Sequence, residues 1–123
     1  MAEKGKKKRV LVVDDHPGVL KFIEIDLKLR GFEVFSAVSG KKALELVKSV
    51  APDILLLDMI MPDMDGFEIL KELRTFSDLP VIAFSASPGN QDPALTSGAD
   101  EFVHKPFDPD DMSRRIRELL KEK

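Results

Sequence analysis

The chain has 123 residues, 43% hydrophobic and 33% charged, with no cysteine, two histidines and a formal net charge of −3 at pH 7. These values fit one domain with a core of ordinary size; they exclude a disulfide framework, thiolate metal centres and cysteine nucleophiles, and two isolated histidines argue against a zinc site. No apolar run approaches the roughly 18 residues of a membrane span, and MAEKGKKKRV lacks the form of a signal peptide, so a cytoplasmic protein is expected.

Residues 1–7 read as a basic tail, with Lys4, Lys6 and Lys7 continuing into Lys8 and Arg9. At this net charge a solvated tail is expected, without direct nucleic-acid contact. The domain proper is expected over 8–123. Val10 to Val13 form a short apolar β-branched run ending on Asp14 and Asp15, the mark of a buried strand with carboxylates at its end. His16-Pro17 opens a helix that runs to about Arg30 and stops at Gly31. Leu20, Ile23 and Leu27 make one apolar stripe on it; Phe22, Ile25 and Leu29 make a second on nearly the opposite side. One stripe faces the sheet. Packing against a neighbouring helix is the expectation for the second, with a docking surface around Phe22 and Ile25 as the alternative.

A weaker strand, Glu33 to Val38, precedes a helix capped by Ser39, with Ala43, Leu44, Val47 and Val50 at core spacing and Pro52 at its end. Residues 54–66, ILLLDMIMPDMDG, then carry a continuous apolar run straight into Asp58 and a loop rich in Pro and Gly. Such a run reads as a strand buried on both faces, as in parallel sheets. Asp65 caps a helix from Gly66 to about Phe76, with Phe67, Leu70 and Leu73 apolar. Pro80 opens the strand VIAF, which ends at Ser85. Pro88 and Gly89 interrupt the next segment, so only a short helix from Asp92-Pro93 to Gly98 is expected. The last strand, Glu101 to His104, ends on Lys105-Pro106. Asp108 to Asp111 then start a final helix with Met112, Ile116, Leu119 and Leu120 inside. Five strands alternating with five helices predict an α/β fold: a doubly wound, five-stranded parallel sheet of order 2-1-3-4-5 with a short helix four.

Strands one, three, four and five end on Asp14-Asp15, Asp58, Ser85 and Lys105, at the sheet edge where ligands bind in this architecture. Each residue alone reads as a turn former or cap; their coincidence points to chemistry. Three crowded carboxylates repel by about 4 kcal/mol per pair at ~4 Å and an effective dielectric of ~20, so the cluster needs a cation or protons. With no thiolate and no paired histidine, an all-oxygen site suits Mg²⁺, which accepts substrate phosphate oxygens. Phosphoryl chemistry follows, with Asp58 as nucleophile forming an aspartyl phosphate, Asp14 and Asp15 holding the ion, and Lys105 and Ser85 contacting the phosphoryl oxygens.

Taken together, VLVVDDHP, LLLDMIMPDMDG, FSAS and GADEFVHKPF resemble, in order and near-usual spacing, a response regulator receiver domain of the two-component, CheY-like superfamily, over residues 8–121. The resemblance implies a flavodoxin-like sheet. It also implies that Asp58 accepts a phosphoryl group from a sensor histidine kinase or a histidine phosphotransfer protein, and that Mg²⁺ is held by Asp15, Asp58 and the backbone carbonyl of Ile60, with Asp14 supporting a bound water. Ser85 takes the place of the switch hydroxyl and Phe102 that of the switch aromatic, while Lys105 precedes a cis peptide at Pro106. Phosphorylation would draw Ser85 inward and reshape the face of helix four, strand five and helix five for an unknown downstream protein. Partner specificity is expected near Phe22 and Ile25 and in the loop after Lys105.

Three departures from the pattern stand out. Helix four and its loop are shorter than usual, Phe102 lacks the hydroxyl of the commoner Tyr and reads equally well as a plain core residue, and Ile60 puts a bulky apolar side chain two residues past Asp58. The resemblance implies no enzyme beyond self-phosphorylation and slow autodephosphorylation, a monomer or phosphorylation-dependent dimer, and no output domain within this chain. The alternative is a phosphorylation-independent interaction scaffold of the same fold, which predicts erosion of the acidic cluster or of Lys105; neither is eroded. A haloacid dehalogenase-type hydrolase would need a second Asp at position 60, and a flavin carrier a hydroxyl-rich phosphate loop after strand one.

Overall fold

Five short runs rich in apolar residues become five parallel strands: β1 (Arg9–Val13), β2 (Glu33–Ala37), β3 (Ile54–Asp58), β4 (Val81–Ser85) and β5 (Glu101–His104). The computed structural model describes residues 7–61, 65–87, 89 and 91–121. The expected basic tail, apart from Lys7, lies outside the described residues, as do Pro62, Asp63 and Met64 of the MPDMDG loop and Pro88 before helix four. The helices are α1 (Pro17–Leu29), α2 (Gly40–Val50), α3 (Gly66–Arg74), α4 (Gln91–Thr96) and α5 (Pro109–Lys121). The strands pair in the order β2-β1-β3-β4-β5, all parallel, as predicted.

The two-residue period of a strand divides the apolar residues between two cores. Leu11, Val13, Leu55, Leu57, Val81 and Ala83 point to the face covered by α2, α3 and α4, where they meet Ala43, Val47, Ile69, Leu70, Leu73 and Ala94. Val10, Val12, Ile54, Leu56, Ile82 and Phe84 point to the other face, against Leu20, Ile23 and Leu27 of α1 and Met112 and Ile116 of α5. Every residue of β3 is buried. At about 1.5–3 kcal/mol for each fully buried Leu or Ile, that strand is strongly held, and Asp58 at its end inherits a fixed position.

Several details differ from expectation. Phe22, Ile25 and Leu29 of α1 are 54%, 52% and 83% exposed, so no described helix covers the second stripe. The seam between α1 and α5 is instead polar: Arg30 bonds Asp26 and Asp110, and Arg117 bonds the Arg30 carbonyl while stacking on Phe32. Leu119 and Leu120 are only partly buried, packed on the margin of the α1/α5 core. The strand β2 stops at Ala37, and Val38 is exposed. Helix α2 stops at Val50, and Ala51 adopts a left-handed φ of 49° before Pro52. Helix α3 ends at Arg74 because Thr75 turns back on Glu72 through both its N–H and its hydroxyl, tightening the last turn. Helix α4 is displaced towards its start relative to prediction and has six residues. Gly98, at φ 120°, closes it, with the N–H groups of Gly98 and Ala99 returning to Leu95 and Ala94.

Arg74 is the largest surprise. Its guanidinium donates to the carbonyls of Ser77, Leu79 and Gly98 and to the Asp100 carboxylate, which also accepts from the Val81 N–H. One side chain thereby joins the end of α3, the start of β4 and the turn after α4.

Gly66 sets how closely α3 approaches β3. A Cβ there would lie 2.6 Å from the Met59 Cα and 2.7 Å from its sulfur, whereas one at Gly18 meets nothing within 4 Å. Gly66→Ala is expected to lower urea stability by about 1–3 kcal/mol through overpacking. Gly18→Ala should raise it by a few tenths to about 1 kcal/mol. Equal effects at the two positions would show that the close approach is unimportant.

Candidate functional site

The chain reverses its direction of winding between β1 and β3, which opens a crevice at the carboxyl ends of these neighbouring strands. Asp14 follows β1 and Asp58 ends β3, so the two carboxylates flank that crevice. Both are buried, at 0% and 3% exposure. The Lys105 ammonium, from the end of β5, reaches across and lies 3.1 Å from Asp14 Oδ2 and 3.2 Å from Asp58 Oδ2. It also sits over the Phe84 ring, 5.1 Å from the centroid, so an apolar floor backs the charged trio.

Each carboxylate has a further local anchor. The Ile60 N–H donates to Asp58 Oδ1 at 3.1 Å and the His16 N–H to Asp14 Oδ1 at 2.9 Å. The polar ends of both side chains are thus held at two points. Asp15 is partly exposed and stands on the open side, where its carboxylate groups with the Asp14 carboxylate and the His16 ring. The Ile60 side chain is exposed at the crevice rim. Ser85 is buried at the end of β4, and its hydroxyl accepts from the Ser87 N–H at 3.0 Å. The Ser85 carbonyl accepts from the Lys105 N–H, which ties β4 to β5 at the site. The Lys105-Pro106 peptide is cis.

Phe102 is buried among the residues of the α2/α3/α4 face and meets exposed His104 edge-on, with ring centroids 5.1 Å apart. Phe22 and Ile25 lie away from the carboxylates, but Phe22 joins Gly18, Val19, Ala86, Pro106 and Phe107 around a mostly apolar cavity of about 400 Å³ that reaches Lys105.

The electrostatics follow from this packing. Burial pushes the Asp58 carboxyl above its ordinary value, and the charge of Asp14 adds to the rise; the Ile60 N–H and Lys105 oppose it without cancelling it. Burial works to lower the Lys105 ammonium, but its hydrogen bond to Asp14 and the charges of both carboxylates outweigh that and raise it. The neighbouring carboxylates thus favour the charged form of Lys105, while burial disfavours the charged form of Asp58.

Two features escaped the sequence reading. His16, noted only as a helix opener, brings its ring to the acidic cluster, and the HP step after a pair of aspartates was the available signal. The pairing of Lys105 with Asp14 as well as Asp58 has no local signal, since it spans 91 residues.

A model of the response regulator receiver domain matches residues 10–117. The chain belongs to the response regulator receiver domain family. Its receiver sequence is 40% identical over 114 residues to the transcriptional regulatory protein KdpE of Mycobacterium tuberculosis, covering 91% of this chain and 50% of that protein. It is 39% identical over 117 residues to the probable transcriptional regulator ycf27 of Cyanophora paradoxa, covering 94% and 49%. The chain thus spans about half the length of these curated relatives. Among solved structures, the receiver domain of the Francisella response regulator 1452 superposes with a TM-score of 0.88 at 35% identity, covering 94% of this chain and 98% of that one. No described helix of this receiver domain is long and apolar enough to cross a membrane.

The raised Asp58 carboxyl has a thermodynamic consequence. A carboxyl whose folded-state affinity for protons exceeds its unfolded one loses stability as pH rises from the ordinary value of 3.8 through the raised one, and the loss is complete above it. Without divalent ions, Asp58→Asn should therefore melt above wild type near neutral pH. The two melting curves should converge below about pH 4. A variant that melts at or below wild type throughout would contradict the penalty assigned to the buried charge.

Proposed function

We propose that this receiver domain takes a phosphoryl group from a phosphohistidine onto Asp58 and relays the change to a partner protein. The observation that carries the reading is the Lys105 ammonium spanning the two buried carboxylates at the crevice. A carboxylate oxygen of Asp58 forms the new bond to phosphorus as the bond from phosphorus to the histidine nitrogen breaks, and the imidazole leaves. Lys105 moves from the carboxylate to the incoming phosphoryl oxygens, meeting the charge where it develops. The donor set of Asp14, Asp15 and Asp58, all oxygen, fits Mg²⁺. Asp15, Asp58 and the Ile60 carbonyl would hold that ion, with Asp14 acting through water. Bound there, it supplies positive charge beside the phosphoryl oxygens.

The Ser85 hydroxyl, buried one strand away, would turn towards the new anion, and Phe102, buried on β5, would move as the face of α4, β5 and α5 changes shape. The donor histidine needs a path to Asp58. The apolar cavity between α1 and the loop after Lys105, continued by exposed Phe22 and Ile25, suits a partner helix delivering it. A sensor histidine kinase or a phosphotransfer protein in the cytoplasm meets that description. The transcriptional roles in the relatives' names suggest control of gene expression as the downstream output.

Incubation with Mg²⁺ and acetyl phosphate should add one phosphoryl mass to wild type and none to Asp58→Asn. A beryllofluoride mimic should shift amide resonances around Asp58, Ser85 and Phe102. Lys105→Ala should slow the gain on the order of 10²–10³-fold while binding Mg²⁺ at least as tightly, because a competing cation is removed. A folded protein that takes up neither reagent would point to the phosphorylation-independent scaffold. With Ile60 at the rim offering no polar atom to an attacking water, the phosphorylated form should decay slowly, and Ile60→Asn should hasten it. Rapid decay that this substitution leaves unchanged would count against that role.

A further inference from the structure

The open side of the crevice carries a nitrogen donor that the Mg²⁺ ligand set leaves out. The Nδ1 atom of His16 lies 3.5 Å from Asp15 Oδ1 and 3.7 Å from Asp14 Oδ1, and the three residues' donor atoms fall within 4.8 Å of one another. Two ligands about 2.1 Å from a tetrahedral ion stand ~3.4 Å apart, against ~3.0 Å for neighbours around octahedral Mg²⁺. The two His16 spacings lie nearer the wider case. Histidine count alone speaks against a transition-metal site; the geometry supplies the mixed nitrogen and oxygen donors that such ions favour.

Local bonds and Lys105 position the donors. The His16 N–H bonds Asp14 Oδ1, and Pro17 starts α1 directly behind it. His16 occupies the cap position of α1 but makes no side-chain cap bond, so the helix does not engage its ring. Lys105 engages the other oxygen of Asp14, leaving Oδ1 on the side of His16. The ring is 71% exposed, so an ion reaches it without any opening of the core.

We infer that Asp14, Asp15 and His16 form a divalent transition-metal site, suited to Zn²⁺ or Co²⁺, that overlaps the Mg²⁺ position and competes with it. The overlap rests on the receiver reading, because Asp15 is shared; the metal preference rests on His16. Mg²⁺ gains nothing from an imidazole, whereas Zn²⁺ and Co²⁺ do.

Titration of the full chain with Co²⁺, read by its visible absorption, and with Zn²⁺ and Mg²⁺ by calorimetry tests this. The variants are His16→Gln and, as a control on the only other histidine, His104→Gln. His16→Gln should weaken Co²⁺ and Zn²⁺ at least about tenfold and alter the Co²⁺ spectrum while changing Mg²⁺ affinity by less than about twofold. His104→Gln should change none of these, and Mg²⁺ at high concentration should displace Co²⁺ from wild type. Co²⁺ that binds no tighter than Mg²⁺, or equally well to His16→Gln, overturns the inference. If Mg²⁺ with beryllofluoride still binds in that case, the receiver reading stands alone. A chain that takes Co²⁺ through His16 but neither Mg²⁺ nor a phosphoryl group would sink the phosphoacceptor reading and leave the metal site.

Discussion

Lys105 stands against the mutual repulsion of three aspartates, and the geometry of the crevice depends on it. Two of those aspartates are almost fully removed from water, where an unpaired charge costs several kcal/mol. A single ammonium serves both because β1, β3 and β5 end at the same edge of one sheet and the Lys105 stem is long enough to cross β4. One positive charge cannot balance three negative ones. The excess leaves the open side of the crevice negatively charged, and its partial neutralisation by Lys105 offsets part of the repulsion among the carboxylates.

This division of labour explains how a rigid frame carries a reactive centre. β3 is buried from end to end, and the backbone N–H of Ile60 fixes one oxygen of Asp58. The other oxygen faces Lys105, a flexible partner that can follow charge as it moves. Ser85 and Phe102 lie on the next two strands, close enough to respond but packed in a core that resists small displacements. Under the proposed switch, a response at these positions would be a change between discrete packings.

Much of this was legible in the chain. The runs VLVV, ILLL and VIAF become β1, β3 and β4 with bounds within a residue or so, because continuous apolar stretches ending in turn formers have few other solutions. Ser39 and Asp65 cap α2 and α3 through side-chain bonds to Lys42 and Glu68, as local rules require. Asp14, Asp58 and Lys105 were legible as strand-end residues, and the sheet order brings them together. The exposed stripe of Phe22, Ile25 and Leu29 was harder, since periodicity shows that a face is apolar and not what covers it. The reach of Arg74 was invisible, because an arginine in the last turn of a helix reads as a charge facing water.

That arginine governs how the domain tolerates changes of length. By donating to the carbonyl of Gly98 and the carboxylate of Asp100, Arg74 fixes where the chain enters β5, whatever lies upstream. A contraction around α4 is then absorbed between Ser85 and the helix start, and β5 keeps its register beside β4, with Ser85 opposite His104. Lys105 follows immediately. The segment around α4 is thus mechanically insulated from the lysine that bridges Asp14 and Asp58.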